Sequence, residues 1–184
     1  MRVVAGRLRG RALLTPKTQA IRPTSDRLRE ALFNVLSHAY DDPVHGARVL
    51  DLFAGTGALG IEALSRGAAY VQFVDEGVEA RGLLRGNVEA MGIAGVSRIF
   101  RRDATKLGPA HPNLPFQLVF ADPPYGKGLG ERALASAREG GWLAPSALVV
   151  LEEATEAEIV LPAGFDELET RTYGESRLIF LRAA

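Results

Sequence analysis

Four aspartates stand where predicted β-strands end, and they are the first candidates for chemistry in this 184-residue chain. They are Asp51, Asp75, Asp103 and Asp122. Because the carboxyl ends of parallel strands meet at one edge of an α/β sheet, where ligands bind, these side chains should share one crevice. A crevice lined by carboxylates favours a ligand that carries positive charge.

A glycine-rich turn, Gly55-Thr-Gly-Ala-Leu-Gly60, comes directly after the first of these strands. It fits the Gly-x-Gly-x-x-Gly pattern of dinucleotide-binding folds, and Asp75 follows Gly55 by 20 residues. Asp51 beside the turn opposes a pyrophosphate, whereas the acids suit the sulfonium and ammonium groups of S-adenosylmethionine. Charge complementarity therefore favours S-adenosylmethionine over NAD, although any one of these acids taken singly could equally cap a helix.

The segment Asp122-Pro-Pro-Tyr125 follows the fourth predicted strand. Two prolines remove two backbone donors and fix φ, so the segment could simply be a rigid strand terminator. At a ligand-bearing strand end it also offers two acceptors, the Asp122 carboxylate and the Pro123 carbonyl, beside an aromatic ring. This set suits an exocyclic amine of a nucleic-acid base that has left its stack. The expected reaction is an in-line displacement at a sulfonium methyl group, promoted by positioning and charge.

The alternation of apolar strands with helical stretches predicts the scaffold for these residues. We expect an α/β fold with a doubly wound, mostly parallel seven-stranded sheet, closed by an antiparallel pair and preceded by a short N-terminal β-hairpin. The chain is expected to form one domain over residues 1–184, with residues 1–20 as a basic hairpin extension. The expected elements are the hairpin over 2–15, helices at 22–39, 57–67, 76–92 and 129–139, strands at 47–53, 70–75, 96–103 and 147–154, a strand that runs into a loop over 117–125, and the closing pair at 165–174 and 176–183.

Composition narrows the function classes. The chain has no cysteine, its three histidines lack metal-ligand spacing, and its hydrophobic content of 47% is typical of a globular protein, so we expect a cytoplasmic protein with no metal and no membrane segment. The net charge is zero, but residues 1–30 hold eight arginines and lysines against two acids. This asymmetry favours docking of a polyanion near the N-terminus, although a merely solvated basic tail would have the same composition.

Two blocks of sequence resemble known enzymes. The block Asp51-Leu-Phe-Ala-Gly-Thr-Gly-Ala-Leu-Gly60 together with Asp122-Pro-Pro-Tyr125 resembles the class I, Rossmann-like methyltransferases that modify exocyclic amino groups. The opening MRVVAGRLRGRAL, with Arg22-Pro-Thr-Ser-Asp-Arg27 and Arg29-Glu-Ala-Leu-Phe-Asn34, resembles the RsmD family, which methylates guanine N2 in 16S ribosomal RNA of the small subunit. The match extends from residue 1 to the final strand pair.

The resemblance implies roles for single residues. The expected cofactor-binding residues are Arg22, Thr24, Asp51, Phe53, Gly55, Thr56, Gly57, Asp75, Glu76, Asp103, Ala104 and Asp122. Among these, Asp75 would bind the ribose and Asp103 the adenine amine of S-adenosylmethionine. The expected catalytic loop is Asp122, Pro123, Pro124 and Tyr125, and the expected RNA contacts are Arg2, Arg7, Arg9 and Arg11. The partner would be 16S ribosomal RNA, within a partly or fully assembled small subunit.

Three alternatives stay open at this point. An adenine-N6 methyltransferase acting on DNA or RNA would use the same Asp-Pro-Pro-Tyr loop. An NAD-linked oxidoreductase would share the glycine turn, but the chain has no evident second substrate domain. A non-catalytic RNA-binding assembly factor would need only the basic segment, and an intact Asp122-Pro-Pro-Tyr125 argues against it.

Overall fold

The computed structural model describes residues 1–17 and 24–184. Seven strands form one mixed sheet: β1 (Arg48–Leu52), β2 (Tyr70–Val74), β3 (Ser97–Phe100), β4 (Phe116–Ala121), β5 (Leu143–Ala154), β6 (Phe165–Tyr173) and β7 (Ser176–Ala183). Their order across the sheet is β3-β2-β1-β4-β5-β7-β6. Strands β1 to β5 pair in parallel, and β7 lies antiparallel to both β5 and β6. The predicted α/β sheet with a closing antiparallel pair is confirmed.

Helices cover both faces of this sheet: α1 (Asp26–Ala39), α2 (Ala58–Ser65), α3 (Val78–Met91) and α4 (Leu129–Glu139). Successive residues of β1 point to opposite faces, so Val49 packs in the cluster with α1, α2 and α3, whereas Leu50 packs in the cluster with α4. Strands buried on both sides explain the continuous apolar runs. The strand order reverses between β1 and β4, and the carboxyl ends of these two strands therefore border an open crevice.

Residues 1–17 form an N-terminal arm that begins with the predicted short hairpin. One antiparallel bridge, Arg2 to Ala12, closes the hairpin. Glu62 of α2 is fully buried and accepts hydrogen bonds from the backbone N–H groups of Val4 (2.9 Å) and Ala5 (3.0 Å). The arm is thus bound to the body of the protein by backbone donors on a buried carboxylate.

A second buried charge completes this attachment. Arg29 of α1 is 0% exposed, and its guanidinium donates to the carbonyl oxygens of Arg2 and Thr24. Its Nε lies 3.6 Å from Oε1 of Glu62. Glu62 also accepts from Nε of Arg66 at 2.8 Å, and the Arg29 guanidinium donates to Asp26 at 3.0 Å, so the backbone partners from the arm add to a network that stabilises two buried charges.

The structure differs from the sequence-based prediction by three residues or more at three element ends. The third strand stops at Phe100, three residues earlier than predicted, whereas β5 begins at Leu143, four residues earlier than predicted. The first helix begins at Asp26, and Ser25 caps it by accepting from the N–H of Leu28. Within residues 1–17 and 24–184, no helix has the length and apolar character to cross a membrane.

Candidate active site

A cleft of about 740 Å³ opens at the carboxyl ends of β1, β2 and β4. Its volume is in the range of small-molecule and cofactor sites. The walls come from four segments, namely the end of β1 with the glycine turn, the β2–α3 connection, the loop after β4, and Thr24 before α1. The lining residues are Thr24, Asp51, Phe53, Ala54, Gly55, Thr56, Ala58, Leu59, Asp75, Glu76, Gly77, Val78, Glu79, Ala80, Asp122, Pro123, Pro124, Tyr125 and Leu129.

Asp51 is the most deeply buried acid of the cleft, with 1% of its surface exposed. Its Oδ2 accepts a hydrogen bond from the N–H of Gly60 (3.0 Å). Burial raises the pKa of this carboxyl to about 8; the hydrogen bond from Gly60 opposes the rise, and the nearby charge of Asp75 adds to it. The free protein therefore holds Asp51 mostly neutral at pH 7, and a nearby cation would favour its ionisation.

Asp75 occupies the backbone donors on the other side of the same turn. Its Oδ2 accepts from the N–H of Gly55 (2.9 Å) and its Oδ1 from the N–H of Gly77 (2.8 Å). A pyrophosphate would need such N–H groups at the start of α2, because a helix N-terminus binds anions through its free donors. Here carboxyl groups of the protein already accept from Gly55 and Gly60, so this turn is poorly suited to a phosphate.

The backbone of the turn is strained where it meets the cleft. Phe53 has a positive φ of 57°, an uncommon conformation for a residue with a side chain. Such strain is frequent at ligand sites because the surrounding structure holds it in place. Gly57 also has a positive φ, of 83°, and a Cβ there would lie 2.4 Å from Leu84. Packing against α3 thus explains the glycine at position 57.

The loop after β4 carries the predicted Asp-Pro-Pro-Tyr segment into the cleft. The Thr24 hydroxyl donates to Oδ2 of Asp122 at 2.8 Å. Tyr125 is half-buried, and its hydroxyl lies 2.5 Å from Oε2 of Glu152. The N–H of Gly126 donates to Oε1 of Glu153 (2.9 Å). Both ends of the segment are therefore held by side chains from other parts of the fold.

The basic side chains of the arm divide into two groups. Arg2 donates to the carbonyl of Gly10 and Arg11 to the carbonyl of Ala90, so both brace the arm. Arg7 and Arg9 are exposed, and neither side chain has a hydrogen bond or an ion pair within the described part of the chain. Arg7 and Arg9 are therefore the arginines of the arm whose side chains are exposed and make no hydrogen bond or ion pair within the described residues.

Comparison with known proteins places the chain in a family. The family model described as "Conserved hypothetical protein 95" matches residues 1–182. The Escherichia coli (strain K12) protein named "Ribosomal RNA small subunit methyltransferase D" is 38% identical over 156 residues, which cover 85% of this chain and 76% of that protein. The chain belongs to the RsmD family.

Other RsmD relatives are similar over greater lengths. The Haemophilus influenzae protein of the same name is 33% identical over 176 residues, covering 95% of this chain and 89% of that protein. The solved structure of yhhF from Escherichia coli superposes with a TM-score of 0.82 at 33% identity, covering 100% of this chain and 97% of that one. A hypothetical protein from Thermus thermophilus gives a TM-score of 0.75 at 34% identity, with 98% of both chains covered. The RsmD chain thus has the Rossmann-like methyltransferase fold.

The structure brings most of the predicted cofactor-binding residues of this RsmD chain to one cleft, and their roles remain predictions. Those that line it are Thr24, Asp51, Phe53, Gly55, Thr56, Asp75, Glu76 and Asp122. Gly57 and Ala104 are not among the lining residues, and Arg22 lies outside the described residues.

Asp103 is also outside the lining, so three of the four predicted acids share the cleft, not all four. Because β3 ends early, Asp103 caps a short 3-10 helix (Ala104–Lys106) and accepts from the N–H and hydroxyl of Thr105. These hydrogen bonds lower the pKa of Asp103. No set of three acidic, histidine or cysteine side chains in the described residues is arranged to hold a metal.

Sequence reasoning missed two groups of residues in this RsmD site. Val78 and Glu79, at the start of α3, line the cleft beside Asp75. Glu152 and Glu153 end β5, are 3% and 1% exposed, and hold the loop after β4. A signal for the second group was present in the sequence, since two consecutive acids close the apolar run Ala-Leu-Val-Val-Leu, where a buried strand has no solvent to hydrate them.

Proposed function

We propose that this chain methylates the exocyclic N2 amine of a guanine in 16S ribosomal RNA, with S-adenosylmethionine as the methyl donor. The observation that carries the proposal is the meeting of an acidic, cation-compatible turn and the Asp-Pro-Pro-Tyr loop in one cleft. Relatives at 33% to 38% identity that are named "Ribosomal RNA small subunit methyltransferase D" support ribosomal RNA as the substrate.

The carboxyl groups of the cleft fit a positively charged cofactor. Asp51 and Asp75 accept from the amides of the turn, which leaves an acidic wall where a dinucleotide would need free donors. Asp75 and Glu76 stand at the expected ribose end, and Thr24 and Asp122 stand at the reacting end. When bound, S-adenosylmethionine supplies an electrophilic methyl group on a sulfonium centre.

The loop after β4 supplies what an aromatic amine needs. Asp122 and the carbonyl of Pro123 can accept the two protons of an exocyclic NH2, which orients the nitrogen towards the methyl donor. Asp122 need not be a strong base, because the amine becomes acidic only after methylation. The Tyr125 ring can stack on the base, an interaction worth roughly 1–3 kcal/mol per base. Buried Pro123, packed close to Gly130 of α4, keeps this geometry rigid.

The N-terminal arm is the proposed RNA contact. Arg7 and Arg9 are exposed and have no internal partner in the described structure, so they are the arm's best candidates for phosphate contacts. Arg2 and Arg11 brace the arm through backbone carbonyls, and their remaining guanidinium donors could add to the same contact. RNA within a partly or fully assembled small subunit, in the cytoplasm, is the proposed substrate.

The test is transfer of labelled methyl groups from S-adenosylmethionine to small ribosomal subunits purified from cells that lack this protein, followed by mass spectrometry of the RNA nucleosides. We expect N2-methylguanosine. N6-methyladenosine would replace the proposal with the adenine-N6 alternative, and absence of transfer to subunits and to free RNA would contradict both. Calorimetry that detects binding of NAD but not of S-adenosylmethionine would indicate an oxidoreductase instead.

The matched variants are Asp122→Ala and Asp166→Ala. Asp122→Ala should lower the transfer rate at least about a hundredfold, because a positioned acceptor at the reacting centre is lost, and should leave cofactor binding largely intact. Asp166 is an exposed acid on β6, so Asp166→Ala should behave as the wild type. Near-normal turnover of Asp122→Ala would remove this carboxylate from the mechanism.

A further inference from the structure

Within the described residues, the hydroxyl of Tyr125 has two hydrogen-bond partners that do not line the cleft. It lies 2.5 Å from Oε2 of Glu152 and 2.6 Å from Oγ of Ser176. A carboxylate can only accept, so the phenol donates to Glu152 and accepts from the Ser176 hydroxyl. This ordered chain of donors holds the ring by its hydroxyl, and Tyr125 is also among the residues that line the cleft.

The two partners come from the antiparallel part of the sheet. Ser176 is the first residue of β7, and it pairs with Ala154, two residues beyond Glu152 on β5. Glu152 is 3% exposed, so its contact with the phenol is formed in a region almost free of solvent, where hydrogen bonds are strongest. The rigid β5–β7 ladder therefore fixes the position of both partners.

The following residue of the loop is fixed from the same strand end. Glu153 is 1% exposed, and its Oε1 accepts from the N–H of Gly126 and from its own neighbour Ala154, both at 2.9 Å. The backbone after Tyr125 is thus held independently of the side chain. A change at Ser176 consequently loosens the ring, which keeps its hydrogen bond to Glu152, without releasing the loop.

We propose that Glu152 and Ser176 are positioning residues that hold the Tyr125 ring as a preformed platform on which the substrate base stacks, an inference that rests on the proposed function. Neither residue touches the reacting atoms; both act through the phenol hydroxyl. A ring that is already ordered loses less rotational freedom when a base binds. The two hydrogen bonds that Tyr125 makes with Glu152 and Ser176, here called the clamp, therefore favour both binding of the base and methyl transfer. The clamp does not act on the cofactor, which the other walls of the cleft bind.

The test is a double-mutant cycle on Tyr125→Phe and Ser176→Ala, with kcat and KM measured for RNA and for cofactor. Ser176→Ala removes one hydrogen bond of the phenol and should lower kcat/KM for RNA roughly three- to tenfold, whereas Tyr125→Phe removes both and should lower it at least as much; neither change should alter the cofactor KM. The double variant should lose no more than Tyr125→Phe alone, because that change already removes the bond to Ser176. Losses that multiply would overturn the proposal.

Two further variants separate positioning from general stability. Glu152→Gln keeps a carbonyl acceptor for the phenol and should retain most activity, whereas Glu152→Ala should not. Thr172→Ala removes an exposed hydroxyl from β6, the neighbour of β7, and should leave kcat/KM unchanged. Equal losses in Thr172→Ala and Ser176→Ala would show a general effect of the strand pair and would refute the clamp.

A readout without turnover keeps the clamp testable even if the proposed function fails. In protein labelled with fluorotyrosine, the Tyr125 resonance is the one that disappears in Tyr125→Phe. We expect it to shift and sharpen in Ser176→Ala, because the ring gains motion, and to stay in place in Thr172→Ala. An unchanged resonance in Ser176→Ala would contradict the clamp, whereas a shifted resonance in an enzyme that transfers no methyl groups would contradict only the function.

Discussion

The raised pKa of Asp51 predicts that binding of a cationic cofactor releases a proton. Burial holds this carboxyl mostly neutral at pH 7 in the free protein, with a pKa of about 8. A sulfonium or ammonium group placed beside it favours the ionised form, so the proton should leave as the cofactor binds. The change to make is Asp51→Asn, which keeps an oxygen to accept from the N–H of Gly60 and has no proton to release.

The size of the effect follows from the titration curve. With a pKa of about 8, roughly 0.9 of the Asp51 carboxyls are protonated at pH 7 and roughly 0.1 at pH 9, so the release should fall from about 0.9 to about 0.1 proton over that interval. The affinity should also rise about fivefold between pH 7 and pH 8, because less free energy is needed to ionise the carboxyl.

The assay is isothermal titration calorimetry in buffers of different ionisation enthalpy, which reports the number of protons released on binding. The wild type and Asp51→Asn should differ by about 0.9 proton at pH 7, and this difference cancels protons from the cofactor's own amino group. Equal proton release by the two proteins, or a difference independent of pH, would refute the reasoning that Asp51 ionises against the cofactor.

Three other outcomes are expected. Because the pKa of Asp51 is raised on folding, the folded protein holds a proton between about pH 4 and pH 8 that the unfolded chain has lost. The free energy of unfolding should therefore fall by about 2 kcal/mol from pH 6 to pH 8 and level off above about pH 8. Urea denaturation should show that this contribution is missing in Asp51→Asn. Thr24→Val should lower the single-turnover transfer rate about tenfold, because Asp122 loses a hydrogen bond that orients it. Thr24→Ser keeps the hydroxyl and should have the wild-type rate, whereas equal rates in Thr24→Val and the wild type would contradict this role of Thr24. Replacing Arg7 and Arg9 with alanine should reduce the slope of log affinity for RNA against log salt by roughly 1 to 2, whereas Arg171→Ala on β6 should not; an unchanged slope would exclude phosphate contacts by these two residues.

The sheet could be predicted from sequence because its signals are local. Strands with both faces buried give continuous apolar runs, as Val49 and Leu50 illustrate, and the helices between them have periodic apolar faces. The residues at which strands end are harder to predict from sequence, because they depend on where the folded chain turns away from the sheet. Because β3 ends at Phe100, Asp103 lies beyond the strand and caps a short 3-10 helix, outside the residues that line the cleft.

Part of the candidate site could also be predicted from the sequence, and part could not. The glycine turn and the Asp-Pro-Pro-Tyr segment are compact motifs, so their meeting in one cleft follows from the rule for strand ends. The contact of Thr24 with Asp122 joins residues 98 positions apart, and that of Ser176 with Tyr125 joins residues 51 apart. Such pairings depend on the three-dimensional arrangement of α1 and β7, which no local pattern encodes.

The manner in which the N-terminal arm is attached affects how its role can be studied. Deleting it would take away two backbone donors on Glu62 and one carbonyl acceptor of Arg29, so these buried charges would keep only their partners in the body of the protein, such as Arg66 and Asp26. Each hydrogen bond lost from a buried charged group costs about 1.5–3 kcal/mol, a large part of the stability of a small domain. A truncated protein that fails to bind RNA would therefore reveal little about RNA, since the body of the protein would also be destabilised. Substitutions at Arg7 and Arg9 test the role of the arm and leave its attachment to the body of the protein intact.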